Sequence, residues 1–107
     1  MGVLFMDKKK IAESVFEVVE KVVEPREDWR VRNDEESVMA RCLVVNVLFR
    51  CGCSRGRIVE ITGWKKSCVV SHINGFETRK KCSRILSVWH AEVVRELRAN
   101  ALFDGLL

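Results

Sequence analysis

An all-α fold, a compact bundle of four to six helices, follows from two observations. Apolar residues recur at helical rather than alternating spacing, and capping residues and glycines punctuate the periodic segments. The 107 residues are enough for one domain, read as spanning 1–107, that buries its core without disulfides or metal. Hydrophobic residues make up 48% and charged ones 32%, a globular balance that argues against a disordered chain.

The valine content suggests strands, but its spacing does not. Ile11, Val15, Val18, Val19 and Val22 fall at i, i+4, i+7, i+8 and i+11, with Glu13, Glu17, Glu20, Lys21 and Glu24 opposite. An amphipathic helix is therefore expected over about 7–24 within the N-terminal unit 1–25, stopping before Pro25. Glu27 to Asn33 reads as a connector with a basic tip, Arg30-Val31-Arg32. Asn33 is a good N-cap, and Glu36 three residues on completes a capping-box pattern. The next helix, about 34–50, is almost wholly apolar from Cys42 to Phe49 apart from Asn46, which marks it as central and buried.

Gly52 ends that helix, and Ser54 caps a short one running through Thr62 with Ile58 and Ile61 inward. Gly63 supplies a turn. A further short helix begins near Ser67 and carries Val69, Val70 and Ile73. Asn74-Gly75 either ends it with a left-handed cap or lies inside a longer helix. The last long helix covers about 83–100, with Ile85, Leu86, Trp89, Val93 and Leu97 on one side, followed by a frayed or docking tail. Trp29, Trp64 and Trp89 are the expected core anchors.

Several function classes drop out. No apolar run reaches the ~18 residues of a membrane span. The N-terminal apolar residues precede Asp7-Lys8-Lys9-Lys10, the reverse of an export signal, so a cytoplasmic location with reduced thiols is expected. A nucleotide-hydrolysing engine is excluded, since there is no glycine-rich phosphate loop. Cys51-Gly52-Cys53 lacks the C-x-x-C spacing of zinc or redox sites, so the five cysteines read as small hydrophobes plus two loop thiols. No metal and no cofactor are expected. Cys68 and His72 share a helix face at i, i+4, but so does any helical pair at that spacing, and no catalysis is expected.

Charge is the informative feature. The net +4 hides a split: residues 1–36 carry −3, whereas residues 50–84 carry nine basic groups against Glu60 and Glu77, a net +7. Such a concentration is the footprint of a polyanion site, because phosphate contacts release condensed counterions. The alternative is a solvated basic face without a partner.

The basic segment coincides with a short helix, a glycine turn and a second short helix, the order of a helix-turn-helix. Ile58 precedes Gly63 by five residues and Val69 follows it by six, so each helix has an inward residue. With its flanks, the segment 27–75 resembles the C-terminal DNA-binding domain of the bacterial chromosomal replication initiator DnaA. Ala40-Arg41 opens the apolar helix, and Ser54-Arg55-Gly56-Arg57-Ile58 resembles the family's serine-led helix. Gly63-Trp64-Lys65-Lys66-Ser67-Cys68-Val69-Val70-Ser71-His72 then aligns with the signature Gly-x-Arg-Asp-His-Thr-Thr-Val-x-His, matching at Gly63, Val70 and His72 with Lys65 in place of arginine. The family's Asp-His-Thr-Thr core is replaced by Lys66-Ser67-Cys68-Val69. Lysine cannot cap a helix start, so Ser67 is the expected cap, and Val69 is left to touch a thymine methyl.

The resemblance implies a DnaA C-terminal-domain or TrpR-like helix-turn-helix fold and double-stranded DNA as partner, in a small regulator or replication accessory without the initiator's ATPase. It places Lys65, Lys66, Ser67, Cys68 and Ser71 at the major groove and groups His72 with them, although His72 by itself reads as packed or hydrogen-bonded inside; Arg30 and Arg32 either reach an adjacent minor groove or belong to a solvated loop. Arg41 is grouped with these contacts, and Arg50, Arg55 and Arg57 with the phosphates. Arg79, Lys80, Lys81 and Arg84 either extend that track or form a solvated face. The competing class is a protein-interaction module, in which the first or last helix forms a homodimer or partner surface and the basic residues only solubilise.

Overall fold

A single apolar helix forms the axis of the molecule. In a computed structural model, which describes residues 5–107, with side chains from residue 8 onward, the helices are α1 (Phe5–Val23), α2 (Glu35–Arg50), α3 (Arg55–Thr62), α4 (Lys66–Asn74), α5 (Phe76–Cys82) and α6 (Arg84–Arg98). A 3-10 turn, Ala101–Phe103, closes the chain, and no strand occurs among the described residues. The apolar start used against an export signal lies outside the residues whose side chains are described.

α2 is central because its sequence is apolar nearly all round: Cys42, Leu43, Val44, Val45, Val47 and Leu48 are fully buried. Its cap is Asp34 rather than the expected Asn33. The Asp34 carboxylate accepts the backbone N–H of Ser37 at 3.2 Å and its hydroxyl at 2.7 Å, and these bonds, with Arg32 beside it, hold its pKa below the usual carboxylate value.

α1 lies against α2 and α6 and buries Ile11, Val15, Val19 and Val23, with Ala12 and Phe16 beside them. Val18 and Val22 sit at the edge of this stripe, half-buried. The helix stops one residue earlier than expected, because Glu24 turns left-handed at φ 51 ahead of Pro25.

The C-terminal half departs more from expectation. Residues 76–82 form their own helix. Gly75 takes neither of the expected roles: it stays right-handed at φ −92, ψ −2. It donates to Ser71 O at 2.9 Å and accepts from Arg79 N at 3.0 Å, so hydrogen bonding passes through the break. A Cβ there would meet Ser71 O at 3.2 Å, a tight contact that a small shift of the backbone would have to relieve. On α6, capped by Ser83 through Leu86 N, Leu86, Val93, Val94 and Leu97 face inward. Ile85, expected inside, is 46% exposed. It lies one position, about 100°, round the helix from Leu86. The tail docks through buried Phe103.

Two clusters complete the core. Phe16, Trp29 and Trp64 pack with ring centroids 5.9, 6.0 and 6.3 Å apart, joining α1, the connector and the turn after α3. Of the three tryptophans Trp29 is buried, while Trp64 and Trp89 are half-buried. Cys51 and Cys53, expected as loop thiols, are buried along with Cys42. Burial pushes the Cys51 thiol to about 11 and raises that of Cys53, so both stay neutral and unreactive at physiological pH.

Candidate nucleic-acid interface

The α3–α4 unit is set by local chemistry. Ser54 caps α3 by accepting Arg57 N–H at 3.2 Å. Thr62 ends it: its hydroxyl donates to Ile58 O at 2.7 Å and accepts Trp64 N–H at 3.2 Å. Gly63 is left-handed at φ 74, a conformation glycine adopts without strain. Ile58 and Val69 are fully buried and pack the two helices onto the core. Val69 is therefore a packing residue and cannot touch a thymine methyl.

α4 is fixed to α2 by polar contacts. Asn46, the lone polar residue of the apolar run, donates through Nδ2 to Cys42 O at 2.8 Å and to His72 O at 2.9 Å. The Cys42 thiol lies 3.1 Å from His72 Nδ1. Burial, with Arg41 and Arg79 nearby, lowers the His72 pKa to about 4, and burial raises that of Cys42. Both are neutral at pH 7, and the thiol and the imidazole share one hydrogen bond. His72 was grouped with the groove-facing residues, and this is corrected: it is only 9% exposed and serves packing. Its unfolded pKa, near 6.5, exceeds the folded value, so acid favours unfolding. The stability it contributes is complete above pH ~6.5 and drains away as pH falls toward ~4, on the order of 2 kcal/mol. Urea melts between pH 4 and 7 will show this loss, and His72→Gln will flatten the His72-dependent part.

The opposite face of α4 is open. Lys65, Lys66, Ser67, Cys68 and Ser71 are all exposed. The cap residue is Lys65, and no side chain bonds the helix start. Ser67 lies inside the first turn and is not the expected cap. The first-turn N–H groups are thus free for an external acceptor, at the positive end of the helix dipole. Among the described residues, Lys65 and Lys66 take part in no salt bridge. Between α4 and the connector lies an open cleft of about 450 Å³, whose lining includes Trp64, Lys65, Cys68 and His72 on one side and Arg30 and Arg41 on the other.

Of the remaining predicted cations, Arg30 and Arg41 line this cleft, and Arg32, Arg50, Arg55 and Arg57 do not. Arg30 stacks over Phe16 at 4.2 Å and pairs with Glu20 at 3.5 Å. Arg32 is held by Asp34 at 2.9 Å and Asp28 at 3.3 Å. Both guanidinium groups pair with the protein's own carboxylates on largely solvent-exposed side chains, and such pairs are weak enough to be exchanged for another acceptor. Arg41 has a structural role besides: its Nη1 donates to Trp29 O and Arg32 O, each at 2.6 Å, fastening the connector onto α2. Arg55 lies over the Phe49 ring at 5.1 Å, and Arg57 pairs with Glu60 at 3.4 Å. Arg50 stands apart at the end of α2, beside His90.

The Arg41 geometry makes a prediction. Arg41→Ala leaves two carbonyls without their charged donor and should cost about 2–3 kcal/mol in a denaturant melt. Compared with protein-family models, with characterised proteins and with solved structures, the chain matches none.

Proposed function

We propose that the chain binds double-stranded DNA through α3 and α4, with α4 lying in the major groove, as a small regulator or replication accessory of the kind its sequence resembles. The supporting observation is the two-sidedness of α4. Val69 and His72 close its inner side, while Lys65, Lys66, Ser67, Cys68 and Ser71 occupy the solvent side at an uncapped helix start. Lys65, Lys66 and the first-turn N–H groups contact phosphates. Cys68 and Ser71, one turn further in, face base edges. Arg41 holds the connector in place. The module performs no chemistry of its own.

One observation favours a protein-interaction reading instead: Ile85 and Val88 are exposed a turn apart on α6, at 46% and 49%. Fluorescence anisotropy of a labelled duplex at two salt concentrations, with sedimentation of the free protein, separates the two. DNA binding requires an association constant that falls steeply with salt. Self-association with no salt-dependent duplex binding would overturn the reading.

A further inference from the structure

The C-terminal end of α2 carries a second concentration of charge, away from α4. Arg50 lies nine residues beyond Arg41, roughly 13 Å along the helix axis. Two adjoining open clefts, of about 490 and 270 Å³, share Arg50 and His90 in their walls. Lys80 of α5 lines the larger, and Arg95 and Arg98 of α6 line the smaller. Three helices thus bring four cations and an imidazole together. The only carboxylate lining either cleft among the described residues is Glu77, 3.6 Å from Lys80. Glu92 reaches Arg95 at 3.4 Å. Arg50 and Arg98 take part in no salt bridge among the described residues.

The floor is apolar and ordered. Phe76 is buried and meets the His90 ring edge-on at 5.1 Å, and Phe49 borders the larger cleft at 38% exposure. Burial, Lys80 and Arg50 together lower the His90 pKa, against a smaller opposing effect of Glu77. Like charges held close raise each other's electrostatic energy, and an anion between them lowers it. A tetrahedral dianion with its water fits an open cleft of this size, and its oxygens accept from guanidinium, ammonium and imidazole donors alike.

We propose that the Arg50–Lys80–His90 cleft is an anion site separate from α4 that takes a phosphate group, from a nucleic-acid backbone or a free phosphate ester. It does not depend on the α4 reading.

The chain has two histidines, so its imidazole Hε1 signals report on this site directly. His90 is at the cleft, while His72 lies under α4 and serves as an internal reference. The histidines are titrated by proton NMR alone, with pyrophosphate, and with a short duplex, at matched ionic strength. The His90 midpoint should rise by about one pH unit, as a neighbouring anion stabilises the imidazolium, and in the pyrophosphate arm the His72 midpoint should stay unmoved. A response to pyrophosphate identifies a free-phosphate ligand, and a response to the duplex alone identifies a backbone phosphate; either supports the site. Arg50→Ala/Lys80→Ala should abolish the rise, with an unchanged His72 signal reporting an intact fold. The rise should persist in Lys65→Ala/Lys66→Ala, so failure of the α4 reading leaves this test standing. A His90 midpoint that neither phosphate source moves, one that perchlorate moves equally, or a response that vanishes with Lys65 and Lys66 would overturn it.

Discussion

Replacing Lys65 and Lys66 together by alanine should weaken duplex binding on the order of fifty-fold at about 0.1 M salt and flatten the log–log salt dependence by about 1.8. The figure follows from counterion release: each phosphate contact contributes a slope near 0.9, and two are removed at once. Neither ammonium forms a salt bridge among the described residues, so no internal partner is stranded by the change. Lys65 occupies the cap position without capping, and alanine at Lys66 favours the helix, so the melting curve should move by less than about 0.5 kcal/mol. The loss should be uniform across duplex sequences, because phosphate contacts position a helix without reading bases. An unchanged slope would remove the start of α4 from the interface.

What is local in this fold is visible in the sequence. Ser54 and Gly63 act within three or four residues of themselves, so a cap and a left-handed turn can be read directly. The apolar run of α2 marks its burial for the same reason. Roles that depend on distant partners are hidden. Arg41 finds its acceptors 9 and 12 residues upstream, and His72 meets Cys42 across 30 residues. In sequence, Arg41 therefore reads as one more cation and His72 as one more polar residue of the basic segment. α5, with seven residues, is too short to show periodicity. Ile85 and Leu86 both continue an apolar pattern, and only the position of α1 and α2 decides which one is buried.

The charge count illustrates the same limit. Nine basic groups between residues 50 and 84 are a property of the sequence, but their directions are tertiary. Lys65 and Lys66 stand at the start of α4, Arg57 pairs with Glu60, and Lys80 pairs with Glu77. Arg50 joins α6 residues that the segment does not contain. One block of charge in sequence thus divides between the start of α4 and the clefts where α2, α5 and α6 meet.

Trp29→Ala should be the most destabilising single change at the connector, costing about 4 kcal/mol and lowering the melting temperature on the order of 15–20 °C. Trp29 is 3% exposed and lies between Phe16 and Trp64, with the Arg30 guanidinium 5.6 Å from its ring. Truncation removes the ring from contacts with α1 and with the turn that precedes α4. The Arg41 bond to the Trp29 carbonyl survives in alanine, so the loss measures ring packing rather than the connector's backbone tie. Trp29→Phe, which keeps an aromatic ring in the site, should recover about half of it. Trp64→Ala, at a half-buried ring, should cost less than Trp29→Ala, and the double variant less than the sum, because the two rings share one contact. Calorimetric melts of the four proteins decide this. Strict additivity would mean that the two tryptophans stabilise the connector and the turn independently, and α4 would then be positioned by Asn46, Ile58 and Val69 alone.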